Sequence, residues 1–128
     1  MIHAACHCGA VTFEIEQAPP MVTDCTCRLC HKLGVLWAYY RQPQVRIAGP
    51  TVAYVQGDET IASHHCPTCG CTTHWMTRNP HSQRMAVNAR LMPPELLAGM
   101  TVEKLDGAHD FEILGHYNPR TDPPTLVL

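Results

Sequence analysis

The hydrophobic and polar residues of this chain alternate over short stretches, which is the pattern of half-buried β-strands. Residues 11–16 (Val-Thr-Phe-Glu-Ile-Glu) show the alternation most clearly. Further strands are predicted at residues 34–40, 45–47, 52–55, 60–65, 72–76, 84–89, 102–105 and 111–114. Only residues 93–99 favour a helical turn, because proline stands near their start and glycine at their end. The pattern predicts a mostly β fold.

The chain has 128 residues, a usual size for one domain, and no linker or low-complexity tract divides it. We therefore expect a single domain over residues 1–128, with an irregular tail at residues 118–128. Two Phe, two Trp and four Tyr give it few large core side chains, while eleven Pro and eight Gly interrupt its elements. A bound metal ion would compensate for a thin core, because the binding free energy of structural zinc, about 10–16 kcal/mol in peptides, becomes folding free energy.

Charge and hydropathy argue against two classes of partner. The net charge is −2 and there is no run of Lys or Arg, so nucleic-acid binding is not expected. No apolar stretch approaches the ~18 residues of a membrane span, and residues 1–6 lack the features of a signal peptide. We therefore expect a cytoplasmic protein whose eight cysteines stay reduced and bind metal, the alternative being disulfides.

Four of the cysteines form two closely spaced pairs that lie far apart in the sequence. Cys6 and Cys8 are separated by one residue at a turn that enters a strand, and Cys66 and Cys69 have the two-residue gap of a zinc knuckle. Four thiolates around one Zn²⁺ complete a tetrahedron and leave no position for another ligand. The two pairs therefore predict a closed, structural zinc site that cross-links the two halves of the chain.

Three further cysteines, Cys25, Cys27 and Cys30, lie within six residues and could hold a second metal ion from one loop. Three protein ligands leave the fourth tetrahedral position free, as in catalytic zinc sites, and zinc there would bind a substrate thiol as thiolate. Two alternatives are an often empty site with exposed thiols and an iron–sulfur cluster, although no compact fourth cysteine is present. A third alternative is that another residue supplies the fourth ligand and closes the metal site. The candidates are Cys71, His31, His7 and His65.

Other polar residues near these motifs carry weaker signals. Cys71 could be a resting ligand, a resolving thiol or a small buried residue, of which the last is the ordinary case. His31 adjoins Cys30 and is the closest candidate for an acid or base at this site. Arg28 and Lys32 border the site and could meet a substrate carboxylate, although solvated surface charge is the default for such residues.

The three cysteine motifs together resemble those of the glutathione-dependent formaldehyde-activating enzyme family, also called the centromere-protein-V/GFA domain. In order, the motifs are Cys6-His7-Cys8-Gly9-Ala10-Val11, Cys25-x-Cys27-x-x-Cys30 and Cys66-x-x-Cys69-Gly70. The resemblance spans roughly residues 3–117, and it is more specific for the family than for an activity.

The resemblance implies an all-β, Mss4-like fold of small packed antiparallel sheets stapled by a four-cysteine zinc site. It also implies a second zinc at three catalytic cysteines, where glutathione and formaldehyde are joined into S-hydroxymethylglutathione by a carbon–sulfur lyase working in the synthetic direction. The implied ligands are Cys6, Cys8, Cys66 and Cys69 for the structural zinc, and Cys25, Cys27 and Cys30 for the second zinc.

The chain departs from the family pattern around the second site. Thr26 stands where family members commonly have His, and His65 precedes the knuckle where Phe is common. Residues 31–34 replace the usual basic pair, small hydroxyl residue and Gly.

From the cysteine motifs and the family resemblance together, we expect a zinc-dependent enzyme acting on a small thiol such as glutathione and an aldehyde. The alternative is a non-catalytic zinc-binding or thiol-carrier module of the same fold.

Overall fold

The computed structural model describes residues 1–118, so the expected tail lies, except for Asn118, outside the described residues. The described part contains eleven β-strands, two α-helices and two 3-10 turns. The strands are β1 (Ile2–Ala5), β2 (Thr12–Ile15), β3 (Val22–Cys25), β4 (Trp37–Arg41), β5 (Val45–Ala48), β6 (Val52–Val55), β7 (Ile61–His65), β8 (Thr72–Thr77), β9 (Arg84–Asn88), β10 (Val102–Asp106) and β11 (Glu112–Tyr117). The helices are α1 (Arg28–Leu33) and α2 (Pro94–Ala98), and the 3-10 turns are Gln42–Gln44 and Ala89–Leu91. The predicted mostly β fold is confirmed.

Three strands form a small antiparallel sheet in the order β1-β2-β5. Side chains alternate between the two faces of a strand, so Phe13 and Ile15 of β2 share one face and are fully buried. Thr12 points to the other face and is exposed. Ala4 of β1 lies opposite Phe13 and is also buried. The alternation read from residues 11–16 therefore does mark the inner face of this sheet.

The other eight strands form one large sheet in the order β11-β10-β3-β4-β9-β8-β7-β6. Its neighbouring strands are antiparallel except for β10 and β3, which run parallel. The structure thus differs from the expected antiparallel sheets at this one pair. The parallel pairing places Leu105 opposite Cys25 and brings the β10–β11 hairpin beside the end of β3.

The main hydrophobic core combines side chains from the two sheets. Its largest fully buried apolar residues are Phe13, Ile15, Met85, Val11, Val22, Val87 and Val102. Burial of one such side chain stabilises a fold by about 1.5–3 kcal/mol relative to leaving it exposed. Within residues 1–118, no buried polar side-chain atom lacks a hydrogen-bond partner. The core is small but its polar groups are satisfied.

A second, smaller apolar cluster lies on the opposite face of the large sheet. Trp37 belongs to this cluster, whereas the next residue, Ala38, belongs to the main core, as alternation along β4 requires. Cys30 of α1 packs against the same cluster. The cluster consists of Val35, Trp37, Trp75 and Ala86. Helix α1 therefore lies over the face of the large sheet that points away from the main core.

Two strands and one α-helix of the structure were not predicted. Strands β1 and β3 are only four residues long and show little alternation. Helix α1 has six residues and ends at Gly34, whose φ of 67° is in the left-handed region that favours glycine. The helical turn predicted at residues 93–99 is present as α2. Among residues 1–118 there is no helix with the length and apolar character of a membrane span.

Candidate metal centres

Two turns bring together four cysteines from distant parts of the sequence. Cys6 and Cys8 lie between β1 and β2, and Cys66 and Cys69 lie between β7 and β8. The four Sγ atoms all lie within 4.8 Å of one another. The Sγ atom of Cys8 is 3.7 Å from that of Cys6 and 3.6 Å from that of Cys66. These residues, called here the four-cysteine cluster, join a turn of the small sheet to a turn of the large sheet.

The two turns are built in the same way. The backbone C=O of Cys6 accepts a hydrogen bond from the N–H of Gly9 at 3.1 Å, and that of Cys66 accepts one from Gly70 at 2.9 Å. Gly9 and Gly70 have φ angles of 81° and 79°, which a residue with a Cβ atom adopts only with strain. Each glycine therefore turns the backbone so that both cysteines of its pair reach the same point.

The four-cysteine cluster fits a tetrahedral metal ion such as Zn²⁺. A Zn–S bond is about 2.3 Å long, so neighbouring sulfurs of a zinc tetrahedron are about 3.8 Å apart, close to the two separations above. The backbone N–H of Val11 donates to Cys6 Sγ at 3.3 Å. The backbone N–H groups of Cys71 and Cys8 lower the pKa of Cys69 to about 5. These donors stabilise thiolates, which are the form of cysteine that binds metal.

The second group of cysteines lies where β3 is followed by α1. Cys25 is the last residue of β3, Cys27 caps the N-terminus of α1, and Cys30 lies within the helix. Their Sγ atoms lie within 4.8 Å of one another. The sequence predicted that one loop carries all three cysteines, whereas the structure places them at the end of β3 and at the start of α1. The helical turn brings residues 27 and 30 to the same side. We call these three residues the three-cysteine cluster.

Hydrogen-bond donors also surround the sulfurs of the three-cysteine cluster. Cys27 Sγ accepts the backbone N–H of Cys30 at 3.3 Å, and Cys30 Sγ accepts the indole N–H of Trp37 at 3.2 Å. The pKa of Cys25 is lowered to about 6, first because the Cys30 thiol donates to it. The pKa of Cys30 is raised for the reciprocal reason. A bound cation would relieve this competition for one negative charge, because it favours thiolates at every position.

Within residues 1–118, no fourth His, Cys, Asp or Glu joins the three-cysteine cluster. The candidate Cys71 lies instead beside the four-cysteine cluster, where its thiol interacts with that of Cys69. His7 lies in the first turn of that cluster, and His65 ends β7. His31 is exposed on α1. The described residues therefore offer three ligand atoms at this cluster, which would leave one coordination position open on a tetrahedral metal ion.

An open cleft with a volume of about 460 Å³ adjoins the three-cysteine cluster. This is within the range of roughly 300–1,000 Å³ that is typical of ligand sites. The cleft is lined by Cys27, Arg28, Leu29, Lys32, Tyr54, Gln56, Gly107 and Ala108. Neither Arg28 nor Lys32 forms an ion pair with another described residue. Two cations and no carboxylate line the cleft, which therefore attracts anions.

The turn between β10 and β11 packs directly on the three-cysteine cluster. A Cβ atom added to Gly107 would overlap Cys25 Sγ and lie 3.2 Å from Cys27 Cβ. Only glycine therefore permits this approach of the turn to the sulfur. The cluster is enclosed by β3, by α1 and by the turn that contains Gly107.

A polar network holds this turn in place. The Thr26 hydroxyl donates to Asp106 Oδ1 at 2.7 Å and accepts the backbone N–H of Ala108 at 3.3 Å. His109 Nδ1 lies 2.9 Å from Asp106 Oδ2. The hydrogen bond from Thr26, followed by that from His109, lowers the pKa of Asp106, which is therefore a carboxylate. The side chain of Asp106 is only 18% exposed, whereas that of His109 is 77% exposed.

Sequence reasoning did not find the network formed by Thr26, Asp106 and His109. Its local signal is weak, because Asp106-Gly107 indicates only a turn. Thr26 lies 80 residues from Asp106 in the sequence, and the parallel pairing of β3 with β10 brings the two together. In the sequence, Thr26 stands out only as a departure from the family pattern, whereas the structure gives it two hydrogen-bond partners.

Comparisons with known proteins identify the family. Residues 1–99 match the family model described as glutathione-dependent formaldehyde-activating enzyme, or GFA. A crystal structure of a Rhodobacter sphaeroides protein is similar to this chain, with a TM-score of 0.65 and 30% sequence identity over 77% of this chain and 97% of that chain. No curated protein matches the chain. The family match includes both cysteine clusters and ends before the turn that contains Asp106 and His109. The chain belongs to the glutathione-dependent formaldehyde-activating enzyme family.

Proposed function

We propose that this protein is a zinc-dependent enzyme of the carbon–sulfur lyase type that joins a small thiol such as glutathione to an aldehyde. The observation that carries the proposal is the three-cysteine cluster, which has no fourth ligand within residues 1–118 and adjoins a cleft of about 460 Å³. In this proposal its three cysteines are the catalytic ligands of one zinc, and the four-cysteine cluster holds a structural zinc. Membership of a formaldehyde-activating family supports an enzymatic role in general.

A zinc ion in the three-cysteine cluster would supply a Lewis-acid position at which a thiol ionises more readily. The residues of the chain supply binding and orientation. Arg28 and Lys32 are four residues apart on α1, so they project to the same side of the helix, and both line the cleft. They would hold the carboxylates of glutathione through charge-assisted hydrogen bonds. The thiolate sulfur would then attack the aldehyde carbon, and the carbonyl oxygen would take up a proton, equivalent to the one that the thiol released, and become a hydroxyl group.

A non-catalytic zinc-binding or thiol-carrier module is the competing function. It is favoured by one observation, namely that the cleft-lining residues of the described chain include no His, Asp or Glu. A thiol could bind to such a cleft without a group that moves its proton. Binding without turnover would then be the whole activity.

Exchange spectroscopy separates the two functions. Protein loaded with zinc is mixed with glutathione and ¹³C-formaldehyde at equilibrium, and NMR magnetisation transfer measures how fast free aldehyde and S-hydroxymethylglutathione interconvert. We expect the protein to accelerate the exchange above the buffer rate, and Cys27→Ser to remove the acceleration without unfolding the protein. Cys71→Ser is the matched control, because that cysteine lies beside the other cluster. Glutathione binding without accelerated exchange would instead establish the binding module.

The proposal also covers location and partners. Seven free thiols in two clusters act as metal ligands only while they stay reduced. We therefore place the protein in the cytoplasm, with a small-molecule thiol and an aldehyde as its partners. We assign it no nucleic-acid partner, because its net charge is −2.

A further inference from the structure

We propose that His109, held by Asp106, exchanges protons with the substrate at the three-cysteine cluster. This inference rests on the proposed function, which requires a proton to leave the thiol and another to reach the aldehyde oxygen. The cleft itself supplies no His, Asp or Glu from the described residues. His109 directly follows Ala108, which lines the cleft. It therefore directly follows the cleft lining on this turn, and its ring is held by the carboxylate of Asp106.

Two independent contacts fix the turn that carries His109. Gly107 lies so close to Cys25 that any side chain at this position would overlap the Sγ atom. Thr26, which lies between two cysteines of the cluster, bonds both the Asp106 carboxylate and the Ala108 N–H. A shift of the turn away from the cluster would break these contacts together. The position of His109 is thus tied to the sulfurs and not only to its own hairpin.

The Asp106 carboxylate also fixes which ring nitrogen of His109 is free. Its Oδ1 and Oδ2 atoms lie 3.0 and 2.9 Å from His109 Nδ1, so Nδ1 carries the hydrogen of this bond. The second ring nitrogen, Nε2, is then the one that can accept or give a proton. Asp110 is the next residue along the same turn, and Arg28 and Lys32 on α1 line the cleft that Ala108 also lines.

The proposed step is balanced without another reactant. The incoming thiol gives its proton to His109 Nε2 and becomes a thiolate. The thiolate sulfur forms a bond to the aldehyde carbon, and the π electrons of the carbonyl move to its oxygen. That oxygen takes the proton back from His109 Nε2, which gives the neutral adduct and restores the neutral imidazole. The reverse sequence releases thiol and aldehyde, so His109 acts once as base and once as acid in each direction.

His31 was the acid or base expected from the sequence, and the geometry favours His109 over it. His31 is exposed on α1 and, within residues 1–118, makes no side-chain hydrogen bond that would orient its ring. A general base acts best when a second group fixes its tautomer and orientation. Asp106 supplies that group only to His109.

A proton count on thiol binding tests the inference without turnover. Glutathione is titrated into the zinc-loaded protein by calorimetry in buffers of different ionisation enthalpy, at several pH values between about 6.5 and 8.5, which are the ordinary pKa values of histidine and thiol. We expect the unchanged protein to release up to about one proton fewer than His109→Gln, because His109 keeps the thiol proton. Equal proton release at every pH would overturn the inference.

The exchange assay gives a second readout with a matched control. His109→Gln should slow thiol–aldehyde exchange by about 10²-fold or more, and free imidazole should restore part of the rate to His109→Ala, since the position is exposed. Asp106→Asn should lower kcat more than it raises KM. His116→Gln is the control, because His116 forms a similar pair with Glu103 at 3.4 Å further along the same hairpin, and its rate should not change.

The outcomes separate this inference from the proposed function. Accelerated exchange with equal proton release in both proteins keeps the function and rejects the role of His109. Different proton release without accelerated exchange keeps the role of His109 in thiol binding and rejects the enzyme. If the zinc-loaded protein binds no thiol at all, both are rejected. An equal loss of rate in His109→Gln and His116→Gln would mean that the hairpin is only structural.

Discussion

Gly107→Ala is the substitution that tests most directly how the β10–β11 turn and the three-cysteine cluster depend on each other. The added methyl group would overlap Cys25 Sγ and lie 3.2 Å from Cys27 Cβ and 3.5 Å from the Cys27 backbone nitrogen. Gly107 is not among the glycines with positive φ, so the effect is steric and not a backbone preference. Either the Cys25 sulfur or the turn has to move.

The expected magnitude follows from overpacking. One extra methyl group in a closely packed position costs about 1–3 kcal/mol. A domain is stable by about 5–15 kcal/mol, so the variant should remain folded. If the strain is carried by the three-cysteine cluster, 1–3 kcal/mol corresponds to roughly 5- to 140-fold weaker metal binding there. The four-cysteine cluster, whose turns do not include Gly107, should keep its metal.

Competition with a chromophoric chelator measures both sites in one titration. We expect Gly107→Ala to release one equivalent of zinc at lower chelator concentration than the unchanged protein, with the second equivalent unaffected. Gly99→Ala is the matched control, because a Cβ atom there meets only the Leu96 carbonyl oxygen at 3.8 Å. Its two zinc equivalents should titrate as in the unchanged protein.

Two results would refute the reasoning about Gly107. If Gly107→Ala binds two equivalents of zinc as tightly as Gly99→Ala and melts at the same temperature, the turn does not press on Cys25. The enclosure of the three-cysteine cluster by this hairpin would then be wrong. Global unfolding of Gly107→Ala would be equally contrary, because it would mean that the strain is not local.

Three further predictions concern the metal sites and the core. Cys66→Ser should unfold the protein, because losing a fully buried ligand removes much of the binding free energy of structural zinc, which is about 10–16 kcal/mol. Cys27→Ser should stay folded, as measured by circular dichroism. Equal unfolding of the two variants would contradict the division into a closed and an open site. Trp37→Phe removes the N–H donor at 3.2 Å from Cys30 Sγ, so zinc binding at the three-cysteine cluster should weaken by roughly 10- to 150-fold in chelator competition. Trp75→Phe, in the same apolar cluster, is the control and should not weaken it. Burial, followed by the neighbouring His64, lowers the pKa of His74 to about 4, so on acidification the unfolded chain binds a proton at this residue before the folded chain does. The free energy of unfolding should therefore fall by up to about 3 kcal/mol as the pH drops from about 6.5 to 4. His74→Gln should flatten this dependence in urea titrations, with the zinc content of both proteins measured at each pH.

Local patterns predicted the features of this protein that are local. Alternation over residues 11–16 marks the buried face of β2, because the two-residue period depends only on the strand itself. The spacing of Cys66 and Cys69 predicted a chelating pair, because one turn suffices to bring their sulfurs together. Helix α1 was missed because it has only six residues and is capped by a cysteine, which is not a usual capping residue.

Features that depend on pairing between distant strands could not be predicted. The network of Thr26, Asp106 and His109 exists because β10 lies parallel to β3, and nothing in either segment specifies that partner. The assignment of all 128 residues to one domain and the roles of the cysteines as zinc ligands stay predictions.

The parallel pairing of β10 with β3 also sets an order of events during synthesis on the ribosome. All four cysteines of the four-cysteine cluster have been made once residue 69 is added, while much of the chain is still to come. The three sulfurs at residues 25–30 are made even earlier, but the hairpin that encloses them is among the last described parts to be synthesised. Until it docks, Cys25 lacks the cover that Gly107 gives it, so this thiol, which is buried in the finished fold, is more accessible to metals and oxidants in the nascent chain.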